Sequence, residues 1–387
     1  MESLRLPIFD TVEQLSLLTG LSGSLLYCLS QHQNRYYVKH EVPKKDGKMR
    51  TVYAPSYSMH IVQRWILKNI LDKVSPSDYA MAFRKGTAYG CKANAMHHIE
   101  TFYGIAIDLK DFFPSIEAKR VYRVFSNIGY DKLAATILTN LCTLDGHLLQ
   151  GGACSPALSN LVCLSLDARL SGYCEKRRVR YSRYADDMFF SCDNQDTLKK
   201  IVPVIRDIIV SENFTINEKK VHYYTPSNRK CITGVVIASP NKLNKAPMLK
   251  ADRKIKKRIR TEIFKAICSG DYSYNQHILG EISYISQIEK DYRSKISDYL
   301  EKTARKFDIY PELVDAFNKN KLWKEIHDAS NSPITKKLLS NEPLSTDEIK
   351  ILGTSFIHRV RYLEGNNIDD ICEYKGWPDS LLKSLME

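Results

Sequence analysis

The chain has 387 residues, 43% hydrophobic and 26% charged, with a formal net charge of +13. That length suits two or three domains around a sizeable core, and the apolar content excludes a disordered chain. No apolar run approaches the length that spans a bilayer, and ten singly scattered cysteines with no CxxC pair argue against a zinc site or a disulfide framework. The start, "MESLRLPIFD", carries Glu2 and no signal-peptide core, so the expectation is a cytoplasmic protein without membrane contact. The charge is uneven. From Pro311 onward ten Lys/Arg face thirteen Asp/Glu, a balance of −3, which leaves +16 for the rest. Such an excess favours a polyanionic partner, usually nucleic acid; the alternative is a generally basic soluble protein.

In chain order, Asp10 and Glu13 form a D-x-x-E capping pattern ahead of "QLSLLTGL", and "SGSLLYCLSQH" supplies a second amphipathic stretch. "YYVKHEVPKKDGKMRTVYAPS" reads as a β-hairpin turning at Asp46-Gly47. A helix follows in "MHIVQRWILKNILDKV", with Ile61, Trp65, Ile66, Ile70 and Val74 at helical spacing. "GIAIDL" (104–109) is a short buried strand, and "PALSNLVCLSLDARLSGYCEK" is a helix entered after Ser155-Pro156. "RYSRYADDMFFSC" (180–192) is a second hairpin, and "LKKIVPVIRDIIVSEN" another helix. Strands and helices mix without βα regularity, which gives an α+β fold class. Then "MLKADRKIKKRIRTEIFKAICSG" concentrates Lys250, Arg253, Lys254, Lys256, Lys257, Arg258 and Arg260 against Asp252, with Ile255, Ile259 and Ile263 as an apolar stripe. This is either a solvated surface helix or one that tracks phosphates. The segment from about 311 is polar, weakly acidic and partly helical.

The second hairpin carries the chemistry. Asp186 and Asp187 are adjacent like charges between two apolar, aromatic-rich runs, and such charges resist burial. Either they lie on a solvated turn or a cation neutralises them. Asp108 ends the apolar strand "GIAID", where a charge rarely helps folding; a helix cap or turn is its ordinary role. If the hairpin lies beside that strand, three carboxylates converge, and hard oxygen ligands of this kind suit Mg²⁺.

The motifs "AIDLKDFFPSI", "LQGGACSPALSNL" and "YADD" occur in the order of the palm motifs of reverse transcriptases, followed by "FTINEKKV" and "ITGVVI". "NAMHH" (94–98) resembles the N-A-x-x-H element, and "ITG" (232–234) the V-T-G element, of bacterial retron reverse transcriptases. The resemblance covers roughly residues 36 to 300. It implies a right-hand polymerase: an N-terminal helical segment (1–35), fingers (36–103), palm (104–240), a basic helical thumb (241–310) and a C-terminal extension (311–387). It implies RNA-templated DNA synthesis with two Mg²⁺ ions, for which Mn²⁺ can substitute. Asp108, Asp186 and Asp187 would be catalytic metal ligands, with Leu109 in the metal set. Lys220 would be a general acid near the pyrophosphate, and Asn217 the Asn of the family's N-x-x-K. Lys48 and Arg50 would grip the triphosphate. Phe113 would sit beneath the sugar, and Gln150 and Gly151 near nucleotide and template. Asn94, His98, Thr233 and Gly234, with Lys250, Arg253, Lys254, Lys257 and Arg258, would bind RNA. Implied partners are deoxynucleotides, a dedicated structured non-coding RNA, its branched DNA product, and a separate effector protein in antiphage defence. The segment 311–387, with its reversed charge and Trp323 and Trp377, is longer than a minimal member of the family needs; it either docks the effector or the nucleic acid, or forms a structural cap on the thumb. The rival readings are another bacterial reverse transcriptase, from a group II intron or a different defence system, and an RNA-binding scaffold with a decayed palm.

The sequence departs from the family at the usual Q-G-A-P-x-S-P loop, which here reads Gln150-Gly151-Gly152-Ala153-Cys154-Ser155-Pro156. Losing one proline and gaining a glycine should loosen it. Val221 stands where Thr is common. Plainer roles also exist: Phe113 as core, Gln150 as a turn residue, Lys220, Lys48 and Arg50 as solvated surface, and His97 and His98 as ordinary helix-surface or buried histidines.

Overall fold

The computed structural model describes residues 4–43, 47, 49–238, 247–269 and 274–306. Asp46, Lys48 and the segment 311–387, with Trp323 and Trp377, lie outside them. The described residues divide into two units, one through Lys256 with Gln287–Glu289, the other Lys257–Ser286 and from Lys290 onward.

The first unit opens on α1 (Val12–Thr19) and α2 (Gly23–Gln31). The cap of α1 falls one residue later than Asp10. The Thr11 hydroxyl accepts the Gln14 N–H at 3.2 Å, while the Gln14 side chain accepts the Asp10 N–H at 2.9 Å. Thr and Gln three apart satisfy two orphan donors as well as Asp and Glu would. Strands β1 (Tyr37–Pro43) and β2 (Met49–Pro55) form the expected hairpin, in register from Tyr37↔Pro55 to Pro43↔Met49.

Helix α3 (Tyr57–Asn69) follows. Its buried face is Met59, Val62, Gln63 and Ile66, with Ile61 and Trp65 only half-buried. The helix itself ends before Ile70 and Val74. Of the expected stripe, Ile66 and Ile70 are buried and Trp65 and Val74 are partly buried against the core, while the polar Gln63 masks the Met59–Val62 side of the buried face.

The central sheet runs β6-β7-β3-β8, antiparallel throughout: β3 (Tyr103–Asp108), β6 (Arg180–Tyr184), β7 (Asp187–Cys192) and β8 (His222–Tyr224). Between α4 (Gly90–His97) and the β6–β7 hairpin come α5 (Ala118–Ile128), α6 (Lys132–Cys142), the small hairpin β4 (Thr143–Leu144) with β5 (His147–Leu148), α7 (Ser155–Val162) and α8 (Leu164–Glu175). The sequence reads α7 and α8 as one helix, but Cys163 leaves helical geometry at φ −85°, ψ 5°. Neither Gly nor Pro marks the break. Helix α9 (Gln195–Ser211) follows β7, and the strands β9 (Lys230–Ile232), β10 (Val235–Ala238) and β11 (Met248–Ala251) make a second antiparallel sheet. One continuous core joins Ile105 and Ile107 of β3 and Phe190 of β7 to residues of α3 and α5 to α9. Antiparallel sheets with helices packed on them make this an α+β fold.

Helix α10 (Arg253–Ser269) crosses into the second unit, with α11 (Asn275–Ile288) and α12 (Tyr292–Lys306). On α10, Ile259 and Ile263 are buried as the stripe requires, and Ile255 is half-buried. Ile278, Ile282 and Ile285 of α11 and Tyr292, Ile296 and Leu300 of α12 are buried likewise.

At the centre of the first unit Arg183 and Asp167 form an ion pair with both side chains at 0% exposure. Nη2 and Nε of Arg183 donate to the two Asp167 oxygens at 2.7 and 2.8 Å, and Nη1 donates to Asn160 Oδ1 at 3.1 Å and Ala185 O at 3.3 Å. The Tyr181 hydroxyl donates to Asp167 Oδ1 at 2.8 Å. Removing one partner leaves a buried charge unpaired. Arg183→Met is therefore expected to destabilise the fold by about 3–5 kcal/mol, and Arg183→Met with Asp167→Leu by much less. Denaturant titration measures both; a single variant costing under about 1 kcal/mol contradicts the pairing.

Candidate active site

Ala185 and Asp186 turn the chain from β6 into β7, with Ala185 in the left-handed region at φ +57°. Asp187 opens β7 and pairs in register with Asp108, the last residue of β3. The Leu109 N–H donates to Asp186 O at 3.0 Å. The Asp108 carboxylate acts on Asp187 across this pair and raises its pKa. Acids far apart in the chain thus meet at one strand end.

Asp108 is buried and well partnered. Lys220 Nζ lies 2.6 Å from its Oδ2, and Asn217 Nδ2 donates to its Oδ1 at 2.9 Å. The Asn217 N–H also donates to Asp108 O at 2.8 Å, and the Lys110 N–H to Thr215 O at 2.8 Å, which fixes the segment carrying Lys220 alongside β3. Lys220 closes a single 3-10 turn, Glu218–Lys220.

The electrostatics show crowding. Burial, then Asp186 and Asp108, push the Asp187 carboxyl up to about 6, although its outer face meets solvent. Burial also raises Asp186, with Asp108 adding to it and Lys220 and Arg50 opposing. Burial draws Lys220 down, but Asp108, Asp186 and Asp187 together outweigh that and hold its ammonium above the usual lysine range. Three hard oxygen donors whose charges resist one another are a donor set that a divalent cation satisfies. They stand more openly than a closed ligand cluster. Among the described residues the side chains that close to within 4.8 Å of one another are Glu262, His277 and Glu281 in the second unit, where Arg258 already pairs with Glu281.

The other expected residues fall in several places. Leu109 is buried in the core, so only its main chain could serve a metal. Phe113 is half-buried, its ring 5.4 Å from Phe112 and 6.3 Å from Phe83. Arg50 is exposed on β2, and its charge is felt at Asp186. The loop with Gln150 and Gly151 is seated on β2: the Tyr53 N–H donates to Gln150 O at 2.9 Å. Gly151, at φ +116°, admits no side chain, since a Cβ there would come within 2.2 Å of Tyr53 O. The loop is not loose as expected, because Ala153 N–H is held by Gln63 Oε1 at 2.9 Å.

Asn94, His98 and Thr233 come together, but not on the surface. His98 Nδ1 and Nε2 lie 2.7 and 2.8 Å from the Ser191 and Ser182 hydroxyls. Ser182 donates to Asn94 Oδ1, and Asn94 Nδ2 donates to Thr233 Oγ1 at 3.5 Å. Burial holds His98 neutral, well below the usual imidazole range. The expectation that Asn94 and His98 touch RNA gives way, since both are buried with their polar atoms engaged by protein. They fasten α4 to the sheet and to the β9–β10 turn. There Thr233 is half-buried and Gly234 exposed.

Lys250, Arg253 and Lys254 are exposed in the first unit, as is Lys257 in the second. Arg258 is exposed but paired with Glu281. Lys230, unmarked by any motif, is buried and caps the end of α4, donating to His98 O at 2.8 Å. Burial lowers its pKa to about 8. Arg183 and Gln63 are likewise buried polar groups that no motif marks. In β6, Tyr181, Ser182 and Arg183 are all buried, so alternation along the strand does not single out Arg183.

The raised carboxyls carry a pH consequence. Folded pKa values above the unfolded ones give stability that is present below about pH 4 and lost as pH rises through about 6. Asp187→Asn is expected to raise the metal-free melting midpoint at pH 8 by a few degrees and to diminish any further rise on adding Mg²⁺. Thermal scans with and without metal check this; a lower metal-free midpoint contradicts it.

The family described as reverse transcriptase (RNA-dependent DNA polymerase) matches residues 42–337. The Ec86 retron reverse transcriptase of Escherichia coli is 33% identical over 313 residues, covering 80% of this chain and 95% of that protein. The Mx65 retron reverse transcriptase of Myxococcus xanthus is 28% identical over 315 residues, covering 76% of this chain and 71% of that one. Among solved structures, telomerase from Candida tropicalis with a fragment of telomeric RNA aligns with a TM-score of 0.44 at 12% identity, over 74% of this chain and 59% of that one. The chain belongs to the reverse transcriptases, RNA-directed DNA polymerases, and among them to the bacterial retron enzymes.

Proposed function

We propose that this enzyme copies a dedicated structured non-coding RNA into a single-stranded DNA that stays joined to its RNA through a branch, begun at an internal guanosine 2′-hydroxyl. The meeting of Asp108, Asp186, Asp187 and Lys220 at one strand end carries the reading. Members of this family use divalent metal ions, and Asp108, Asp186 and Asp187 are the residues to hold two Mg²⁺ here, with Mn²⁺ as a substitute. When bound, the ions supply activation of the attacking hydroxyl and stabilisation of the leaving pyrophosphate.

The chain's own groups divide the remaining work. Lys220 Nζ keeps its proton beside the acids and is the donor to the departing pyrophosphate. Arg50, with Lys48, grips the triphosphate. Phe113 lies beneath the sugar, where a 2′-hydroxyl would collide with it, and Gln150 and Gly151 face nucleotide and template. Fingers (36–103), palm (104–240) and a basic thumb (241–310) follow the 1–35 segment. The exposed cations Lys250, Arg253, Lys254 and Lys257 track RNA phosphates, and A-form shape rather than base edges is what they read. The turn at Thr233 and Gly234, held in place by Asn94, is a further RNA contact within the first unit. The RNA–DNA hybrid and a separate effector, docked through 311–387, make an antiphage system in the cytoplasm. No helix of the described residues is long and apolar enough to cross a membrane.

Asp186→Asn with Asp187→Asn is expected to reduce primer extension by more than about 10³-fold while the RNA still copurifies. From the unsubstituted protein, bound nucleic acid should be sensitive to both RNase and DNase and change mobility with a debranching enzyme. An undiminished extension rate, or random cellular RNA alone in the purified protein, contradicts the reading.

A further inference from the structure

Gln63 has 0% exposure in the middle of α3, among apolar Met59, Val62 and Ile66. An amide left unpaired there would lose its bonds to water with nothing in return. Instead its groups are taken up. Nε2 donates to Leu141 O at 2.8 Å and to the Tyr37 hydroxyl at 2.7 Å, and Oε1 accepts the Ala153 N–H at 2.9 Å. A carbonyl only accepts and an N–H only donates, so these partners fix which end of the amide points where. The main-chain carbonyl of Gln63 also accepts from Cys154 Sγ at 2.9 Å. One side chain therefore ties the 150–154 loop to β1 and to the end of α6.

The decisive contact is the one to Ala153. The family's loop has proline at that place, and proline has no N–H to give. The donor that Ala153 regains is the one Gln63 takes. At the loop's other end, Gln150 O accepts from Tyr53 and Gly151 presses on Tyr53 O, three residues along β2 from Arg50. The loop is thus fastened at both ends although it lacks the ring that would have stiffened it.

We infer that Gln63 is a positioning residue: its amide tether replaces the constraint of the missing proline and holds Gln150 and Gly151 in place to select the incoming nucleotide. This rests on the reading that those two residues face nucleotide and template. Gln63 touches no reacting group, so its loss weakens nucleotide binding rather than the chemical step.

Single-nucleotide incorporation by the full-length enzyme on an RNA template tests this, alongside melting midpoints. Gln63→Leu is expected to raise KM for the deoxynucleotide about 5–10-fold with kcat within about twofold. Ala153→Pro alone does the same, because Gln63 Oε1 loses its donor. Combined, the ring stiffens the loop and leucine asks for no donor, so the double variant lies nearer the parent than either single one. Gln63→Glu keeps an oxygen for the Ala153 N–H and, protonated by burial, a donor for Leu141 O, and so recovers most of the KM. It keeps the inference testable should Ala153→Pro not fold. Additive singles, or no recovery by Gln63→Glu, overturn the tether. Gln150→Ala separates the two layers. If it leaves KM unchanged while Gln63 and Ala153 couple only in melting midpoint, the tether is purely structural, and both the inference and the nucleotide-site reading beneath it fall.

Discussion

The antiparallel pairing of Asp108 with Asp187 is the constraint on which the acidic end of the sheet depends. Side chains alternate along a strand, so a slip of one residue between β3 and β7 would turn one acid away from the others and put apolar residues in its place. The register is therefore secured from below. Ile105 and Ile107 of β3 and Met188 and Phe190 of β7 are buried in one core, and the Leu109–Asp186 backbone bond closes the pairing beyond the strand. The acids themselves oppose this arrangement, as the raised carboxyls of Asp186 and Asp187 show. Apolar burial and backbone pairing outweigh that local cost, as is usual where a site is destabilised for function.

A second layer of buried polar groups shapes the parts that the apolar core leaves undetermined. Arg183 reaches the carbonyl of Ala185, whose left-handed backbone sets up the turn before the acids, and is anchored in turn by Asp167 and Asn160. His98, Asn94 and their serine partners do the same for α4 and the β9–β10 turn. Each network is directional where hydrophobic packing is not, so it fixes a geometry and not merely a collapsed state. Such networks hold motif residues such as Asn94 and His98 in the interior, with their polar atoms engaged by protein.

Much of this was legible from the sequence, and what was not shares a cause. Strand β3, both β-hairpins, α9 and the stripe of α10 follow from alternation, turn residues and helical spacing. The three acids stand out because charge at the end of an apolar strand has few structural uses. Polar residues in the interior were invisible to the same reasoning. Gln63 broke the pattern that would have phased α3, and Arg183 read as an ordinary charge in a strand. The break at Cys163 had no Gly or Pro to announce it. Resemblance named Asn94 and His98 but carried no information on depth, so buried positioning groups were read as contact residues.

The most direct measurement of the central claim is the location of Mn²⁺ by anomalous diffraction from crystals of the protein grown or soaked with that ion. The expected result is a peak bounded by the carboxylates of Asp108, Asp186 and Asp187, reduced or lost in Asp186→Asn. Ordered Mn²⁺ found only elsewhere, as at Glu262, His277 and Glu281, with none among those three acids, would contradict it.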